Sequence, residues 1–127
     1  MEKNLYENVR RISGVNVRKC MKCGKCSASC PTFDDMDFHP HQFISMVDAG
    51  NITPLLESSS IWNCLSCFAC VQRCPRGVEP SKVIEAVRVL RIRRQGENHM
   101  KPDVIPEKLN EDLPQQAIVS AMRKYNK

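Results

Sequence analysis

The sequence predicts a mostly α-helical chain, with one compact domain followed by an extended tail. Apolar residues recur at helical spacing in residues 4–13, 40–49 and 80–94. Between these segments stand eight cysteines in two copies of one motif, so the segments must fold around the cysteines. After Gly96 the apolar pattern decays. We therefore divide the chain into a domain of residues 1–96 and a tail of residues 97–127.

The first two helical segments carry signals for their buried face and for their ends. Residues 4–13 have three apolar residues at helical spacing and a glycine directly after them. Residues 40–49 begin with a proline, which suits the first turn of a helix, and a glycine follows their end. The predicted buried stripe of this second helix consists of Phe43, Ile44 and Val47.

The strongest helical pattern covers residues 80–94. Its apolar face consists of Val83, Ile84, Val87 and Leu90, while Arg88, Arg91 and Arg94 fall on another face. A shorter helix is expected at residues 54–58. In the tail, residues 97–114 contain three prolines and have the composition of a linker. Residues 115–125 are expected to form a short helix that docks on a partner.

The eight cysteines repeat the motif C-x2-C-x2-C-x3-C-P. The copies are Cys20, Cys23, Cys26 and Cys30 before Pro31, and Cys64, Cys67, Cys70 and Cys74 before Pro75. This is the ligand run of bacterial proteins that carry two 4Fe–4S clusters, in which the fourth cysteine of each run ligates the other cluster. That rule predicts two crossed ligand sets. Cluster 1 takes Cys20, Cys23, Cys26 and Cys74, and cluster 2 takes Cys64, Cys67, Cys70 and Cys30.

Two other uses of the cysteines fit the pattern less well. Zinc needs only two C-x2-C pairs, which leaves the third and fourth cysteine of each motif unexplained. Disulfides are expected in oxidising compartments, but the N-terminal residues MEKNLYENVRRIS lack the apolar region of a signal peptide. The sequence also contains no run of eighteen apolar residues, so we expect no membrane span. We expect a cytoplasmic protein in which all eight thiols are metal ligands.

The net charge of +5 is concentrated in residues 1–96, because residues 97–127 hold five basic and five acidic side chains. The basic residues nearest the cysteines are Lys19, Lys22, Lys25, Arg73 and Arg76. Such cations could offset the negative charge of the clusters, raise their reduction potentials, contact an acidic partner, or be ordinary solvated residues. Nucleic-acid binding is a further reading of a basic domain, but no nucleic-acid motif accompanies it.

The remaining residues offer no catalytic site. His39 and His41 are interpreted as surface or helix-cap residues, because thiolates already supply every ligand. Trp62 is interpreted as a core residue that shields a cluster. The sequence has no G-x-G-x-x-G, no P-loop and no adjacent cysteines. These features indicate a protein that carries electrons, while the substrate chemistry takes place on another subunit.

Three segments resemble the C-type subunit of heterodisulfide reductase: VRKCMKCGKCSASCP, MDFHPHQFISMVDAG and IWNCLSCFACVQRCPRGVEPSKVIEAVRVLR. The similarity covers roughly residues 5–95. It implies a helical ferredoxin-like fold. It also implies a relay of electrons from an A-type subunit that bears flavin and clusters to a catalytic B-type subunit. The B-type subunit reduces a disulfide such as that of coenzyme M and coenzyme B.

Two other functions remain open on the sequence alone. One is the iron–sulfur subunit of a quinone-linked dehydrogenase for glycerol phosphate, glycolate or succinate. Such subunits resemble this chain around the cysteines but normally carry additional cysteine-rich regions. The other is a basic, zinc-stabilised module that binds nucleic acid.

Overall fold

The computed structural model describes residues 2–92 and 110–125, with side chains at residues 4–92 and 110–120. The helices are α1 (Glu2–Ser13), α2 (Lys25–Ala28), α3 (Pro40–Asp48), α4 (Thr53–Glu57), α5 (Ser60–Asn63), α6 (Ala69–Arg73), α7 (Pro80–Ile92) and α8 (Gln115–Tyr125). Single 3₁₀ turns cover Val17–Lys19 and Phe33–Asp35. The described residues contain no β-strand, which confirms the prediction of a mostly α fold.

The predicted helices agree with the observed ones to within two residues wherever the structure describes them. The last two residues of the predicted helix 80–94 and most of the predicted linker, residues 97–109, lie outside the described residues. The chain divides into two compact units, Met1–Ile92 and Arg93–Lys127.

Helix α7 is the central element of the first unit, where it contacts α1, α3, α4, α5 and α6. The predicted stripe of α3 is buried, and so are Val83, Ile84 and Val87 of α7, whereas Leu90 packs at the edge of the core. A fully buried aliphatic or aromatic side chain contributes about 1.5–3 kcal/mol relative to an exposed one. The packing of α3 on α7 therefore supplies much of the free energy that holds the cysteine loops in place.

The loop before α3 is tied to α5 by three hydrogen bonds. The Ser60 hydroxyl accepts from the Phe38 N–H at 2.9 Å, and the Asn63 side-chain amide donates to the Asp35 carbonyl at 2.6 Å. The Ser59 hydroxyl donates to the Asp37 carboxylate at 3.1 Å. These bonds join the segment that leaves the first motif to the helix that enters the second motif.

Arg88 of α7 fixes the same entry from the opposite side. Its guanidinium donates from Nε to the Ile61 carbonyl at 2.8 Å and from Nη2 to the Cys64 carbonyl at 2.9 Å. The guanidinium also lies over the ring of Trp62, with Cζ 5.6 Å from the ring centroid. Its planar fork of donors can reach two carbonyls at once.

The prediction that Trp62 is a core residue is wrong, because its side chain is 52% exposed. In the short helix α5 the preceding residue, Ile61, takes the fully buried position. Successive helical residues point about 100° apart, so Trp62 faces outward, where the Arg88 cation covers one face of its ring.

In the second unit, residues 110–125 are described as a turn followed by α8. The Asn110 side chain accepts from the Asp112 N–H at 2.6 Å, and the Leu113 N–H donates to the Asn110 carbonyl at 3.1 Å. Helix α8 spans the predicted residues 115–125, and its proposed docking role stays a prediction. None of the helices in the described ranges combines the length and the apolar character required to span a bilayer.

We expect Arg88→Met to destabilise the cluster-loaded chain by about 2 kcal/mol, because it leaves the Ile61 and Cys64 carbonyls without their charged donor. Anaerobic urea unfolding followed by the visible absorbance of the clusters would measure this loss. Arg91→Met on the exposed side of α7 is the matched control. Equal midpoints for the two variants would contradict the role given to Arg88.

Candidate metal centres

The eight cysteines line two separate cavities, each with four thiols. Cys20, Cys23, Cys26 and Cys74 line the first cavity. Cys30, Cys64, Cys67 and Cys70 line the second cavity. Each cavity therefore combines three cysteines of one motif with the last cysteine of the other motif, and these groups are the same two sets that the cysteine spacing predicts.

Helices α3 and α7 bring the two motifs together. Each begins at a buried proline, and these prolines line opposite cavities, Pro40 the second and Pro80 the first. Ile44 of α3 lines the first cavity, while Ser81 and Ile84 of α7 line the second. Helices α2 and α6, which carry the third cysteine of each motif, also contact each other. Each helix that lines one cavity is thus packed against a helix that lines the other.

The two motifs repeat in backbone conformation as well as in sequence. Lys22 and Ser66, which occupy the same position in the two motifs, have φ of 57° and 53°. Two positions before the third cysteine, Gly24 and Phe68 have φ of 76° and 62°. Left-handed residues between right-handed or extended ones turn successive N–H groups toward one side of the chain. Both loops therefore curl around their cavity in the same way.

Phe68 is the unusual member of this repeat. A left-handed conformation costs free energy for any residue with a Cβ atom, and for a bulky residue it is uncommon. Gly24 adopts the equivalent conformation without that cost, and a Cβ atom built on Gly24 would meet nothing within 4 Å. The difference between the two positions is therefore one of backbone strain and not of space. The Phe68 ring lines the second cavity and remains 42% exposed.

Two thiols already accept backbone hydrogen bonds. The Lys22 N–H donates to Cys20 Sγ at 3.3 Å, and the Val78 N–H donates to Cys74 Sγ at 3.3 Å. Both sulfurs belong to the first cavity. Hydrogen bonds to sulfur ligands stabilise their negative charge and raise the reduction potential of an iron–sulfur centre.

His41 lies inside α3 and connects this helix to the first motif, so the interpretation of this residue as a surface or cap residue is wrong. Its ring Nδ1 lies 2.5 Å from the hydroxyl of the buried Ser27, and its N–H donates to the same oxygen at 3.1 Å. Ser27 directly follows the ligand candidate Cys26. His39 precedes α3, as a cap residue would, and its N–H donates to the Gln42 side chain at 2.8 Å. The His39 ring stacks on Phe33 with centroids 3.8 Å apart.

The thiols differ in burial and in acidity. Cys23 and Cys67, the second cysteine of each motif, are exposed, whereas Cys70 is buried. Burial raises the pKa of the Cys26 thiol above its ordinary value, and it raises the pKa of Cys70 from 9.0 to about 11. In the cluster-free chain these two thiols are held protonated, so loading a metal centre there must release protons.

The two cysteine motifs and the residues directly beside them in the sequence carry positive charge and no negative charge. Residues 17–31 and 61–78 contain no aspartate or glutamate, while Lys19, Lys22, Lys25, Arg73 and Arg76 are all exposed. Arg76 lines the first cavity, and its Nε donates to the Lys19 carbonyl at 3.3 Å. The lining of the second cavity has no charged side chain.

Four thiols around one cavity suit a 4Fe–4S cubane, because each of its four irons takes one thiolate. No group of three or more Cys, His, Asp or Glu side chains in residues 4–92 and 110–120 is arranged around a position for a single metal ion. The four thiols of each cavity therefore suit a cluster better than a single metal ion.

Sequence reasoning missed the polar residues that hold this site. Ser27, Ser60 and Ser81 are buried, and serine carries no pattern that separates a buried hydroxyl from an exposed one. The helical pattern places Arg88 away from the apolar face of α7. The signal in the sequence is its position directly after Val87, which the pattern places on the apolar face of the helix.

In the anaerobic, cluster-free chain we expect iodoacetamide at pH 8 to modify Cys23 and Cys67 first and Cys70 last. At that pH about one in a thousand Cys70 thiols is ionised, against about one in ten for an ordinary cysteine. Peptide mass mapping of timed samples would give the order.

The rate at Cys70 should rise about tenfold per pH unit from pH 8 to pH 10. Because the fold holds this thiol protonated, the cluster-free fold should lose stability as the pH rises from 9.0 through about 11. The chain unfolded in urea is the control, in which the eight rates should become similar. Equal rates in the folded chain would contradict the assignment.

Comparison with known proteins gives a family for this arrangement. The family model of the 4Fe-4S dicluster domain matches residues 16–78, which contain both motifs. The cofactors are therefore two 4Fe–4S clusters.

Curated relatives extend the match beyond the motifs. The chain is 34% identical over 86 residues to the C-type subunit of the ferredoxin:CoB-CoM heterodisulfide reductase of Methanosarcina acetivorans, which covers 68% of this chain and 34% of that protein. It is 28% identical over 91 residues to the C-type subunit of the H(2):CoB-CoM heterodisulfide,ferredoxin reductase of Methanothermobacter thermautotrophicus, covering 72% and 48%. To the C-type iron-sulfur subunit of the CoB–CoM heterodisulfide reductase of Methanopyrus kandleri it is 31% identical over 77 residues, covering 61% and 38%.

The chain thus spans between about a third and a half of the length of these relatives. The family model covers both cysteine motifs and α3. By its dicluster domain and by this similarity, the chain belongs to the family of 4Fe–4S dicluster proteins that resemble the C-type subunit of heterodisulfide reductase.

Proposed function

We propose that the chain is an electron-transfer subunit of a heterodisulfide-reductase-like complex. The observation that carries this proposal is the pair of four-thiol cavities in one small helical unit. When bound, each 4Fe–4S cluster accepts and releases one electron at a time. The residues around the cavities supply ligands, hydrogen bonds and charge, and neither lining includes a side-chain pair suited to acid–base catalysis.

The proposed ligands of cluster 1 are Cys20, Cys23, Cys26 and Cys74, and those of cluster 2 are Cys64, Cys67, Cys70 and Cys30. The lining of the two cavities supports this crossed assignment. Both crossing thiols are partly buried, as expected for groups that face a cofactor and not the solvent. Crossing would make each cluster a cross-link between the two halves of the domain.

The proposed path runs between an A-type subunit with flavin and clusters and a B-type catalytic subunit that reduces a disulfide. The names of the relatives, which place them in CoB-CoM heterodisulfide reductases, support a disulfide as the final acceptor. Exposed residues at the mouths of both cavities support access for two partners. Cys23 is exposed at the first mouth and Cys67 at the second.

Paired alanine variants test the crossed ligand sets by counting irons. With crossed ligands, Cys30→Ala with Cys67→Ala removes two ligands of one cluster and leaves about four irons per chain. Cys30→Ala with Cys23→Ala then affects both clusters and leaves few irons. Uncrossed ligands would reverse the two results. Anaerobic reconstitution followed by iron and sulfide analysis would give the counts, with about eight irons expected for the unmodified chain.

Affinity purification of the tagged chain from its native cells, under anaerobic conditions, tests the place in a complex. We expect a flavin-containing subunit and a subunit with paired-cysteine motifs to elute with it. A membrane subunit that reduces quinone, eluting in their place, would contradict the proposal and favour a quinone-linked dehydrogenase. A colourless chain with two zinc ions and no sulfide would contradict any electron-transfer role.

A further inference from the structure

The two cavities have mouths of different charge, although their cysteines repeat. Three exposed lysines, Lys19, Lys22 and Lys25, are adjacent in sequence to cysteines of the first motif. At the same three positions the second motif has the neutral residues Asn63, Ser66 and Ala69. Arg76, which lines the first cavity and donates to the Lys19 carbonyl at 3.3 Å, adds a fourth cation. We call Lys19, Lys22, Lys25 and Arg76 the first rim.

The charge of the first rim is not neutralised by the part of the domain that the structure describes. The ion pairs recorded there join Arg18 to Asp48 and Lys82 to Glu79, and neither involves a residue of the first rim. No acidic residue stands inside either motif. A group of exposed cations of one sign projects a positive potential into solvent and attracts anionic partners over about a Debye length.

Compensation of the negative charge on the clusters does not account for these lysines. The second cavity also has four thiols, yet the residues of its motif that match the three lysines are neutral, and its lining has no charged side chain. The three lysines are therefore not a requirement of four thiolates.

Given the proposed electron-transfer function, on which this step rests, we propose that the first rim is the docking site for the acidic face of a one-electron carrier protein. Exposed Cys23 and Arg76 line the first cavity, and the three lysines are next to its cysteines in the sequence, so a carrier bound there lies near the first cavity. Each encounter passes one electron between the carrier and the cluster of that cavity, with no proton transferred. The lining of the second cavity includes exposed Leu65 and Phe68 and offers no cation to guide such a carrier.

The internal repeat provides the test variant. K19N/K22S/K25A gives the first motif the neutral residues that the second motif already has at the same positions. The folding of the chain should tolerate the change, because Ser66 adopts the φ of Lys22 to within a few degrees. The control is R10Q/R11Q/R91Q, which removes the same net charge at exposed positions that line neither cavity. Iron content and circular dichroism confirm that both variants are loaded and folded.

Stopped-flow mixing of the dithionite-reduced, cluster-loaded chain with a strongly acidic bacterial ferredoxin would measure the docking. At about 10 mM salt we expect K19N/K22S/K25A to lower the association rate constant about tenfold, and the difference should vanish near about 0.5 M. The control variant should change the rate far less. Calorimetric titration with both proteins oxidised, where no electron moves, should show the same loss of affinity at low salt.

Several outcomes would overturn the docking site. Equal salt dependence in the two variants would show that total charge, and not the first rim, attracts the carrier. A shift of the cluster potential without a change in association would make the lysines tuning groups. Tighter binding of a DNA duplex than of the ferredoxin, lost in the K19N/K22S/K25A variant, would assign the first rim to nucleic acid.

Small oxidants separate this proposal from the proposed function. Wild-type chain that reduces neither ferricyanide nor hexaammineruthenium(III) would contradict electron transfer itself. If the wild-type chain reduces both oxidants, but its preference for ferricyanide at low salt is no greater than that of the K19N/K22S/K25A variant, the docking site alone is contradicted. A preference of the wild type for ferricyanide that disappears in the variant would support both the electron-transfer function and the first rim.

Discussion

Each cysteine cavity is closed by a thiol from the other half of the domain, and the rest of the fold serves this exchange. Cys30 reaches the second cavity and Cys74 the first. Thiols separated so widely along the chain converge only if α3 and α7, which follow the two motifs, pack against each other. The buried stripes of these helices, the serine bonds between the loop before α3 and α5, and the guanidinium of Arg88 all oppose separation of the halves.

The repeat has kept its cysteines and its backbone conformation and has diverged in other side chains. Both loops keep four cysteines and the same pair of left-handed residues. The differences include lysines beside one set of cysteines, and Phe68 in place of glycine at a position that lines the cavity. A cofactor cage constrains the backbone closely, whereas the side chains around it are free to become specific for different contacts. The two clusters can therefore share a chemistry and still face different neighbours.

Much of this arrangement could be predicted from the sequence because its signals are local. Helical spacing and terminal prolines and glycines gave α3 and α7 nearly to the residue, and the cysteine spacing grouped the thiols into the sets that line each cavity. Trp62 and His41 were misjudged, and the role of Arg88 was missed, because their surroundings depend on contacts distant in sequence. Ile61 has the buried position expected for Trp62, the Ser27 hydroxyl binds His41, and Arg88 donates to the carbonyls of Ile61 and Cys64. No local pattern reports such partners.

The exchange of thiols also determines when the cavities can come into existence during synthesis. The second cavity lacks its last thiol until Cys70 has been made, and the first until Cys74 has been made. A nascent chain that already displays Cys20 to Cys30 has no four-thiol cage, since both cages are completed within a few residues of each other just before α7. Iron and sulfide can be enclosed only when nearly the whole domain has left the ribosome. Until then the early cysteines remain accessible to oxidants, so reducing surroundings favour assembly of the clusters.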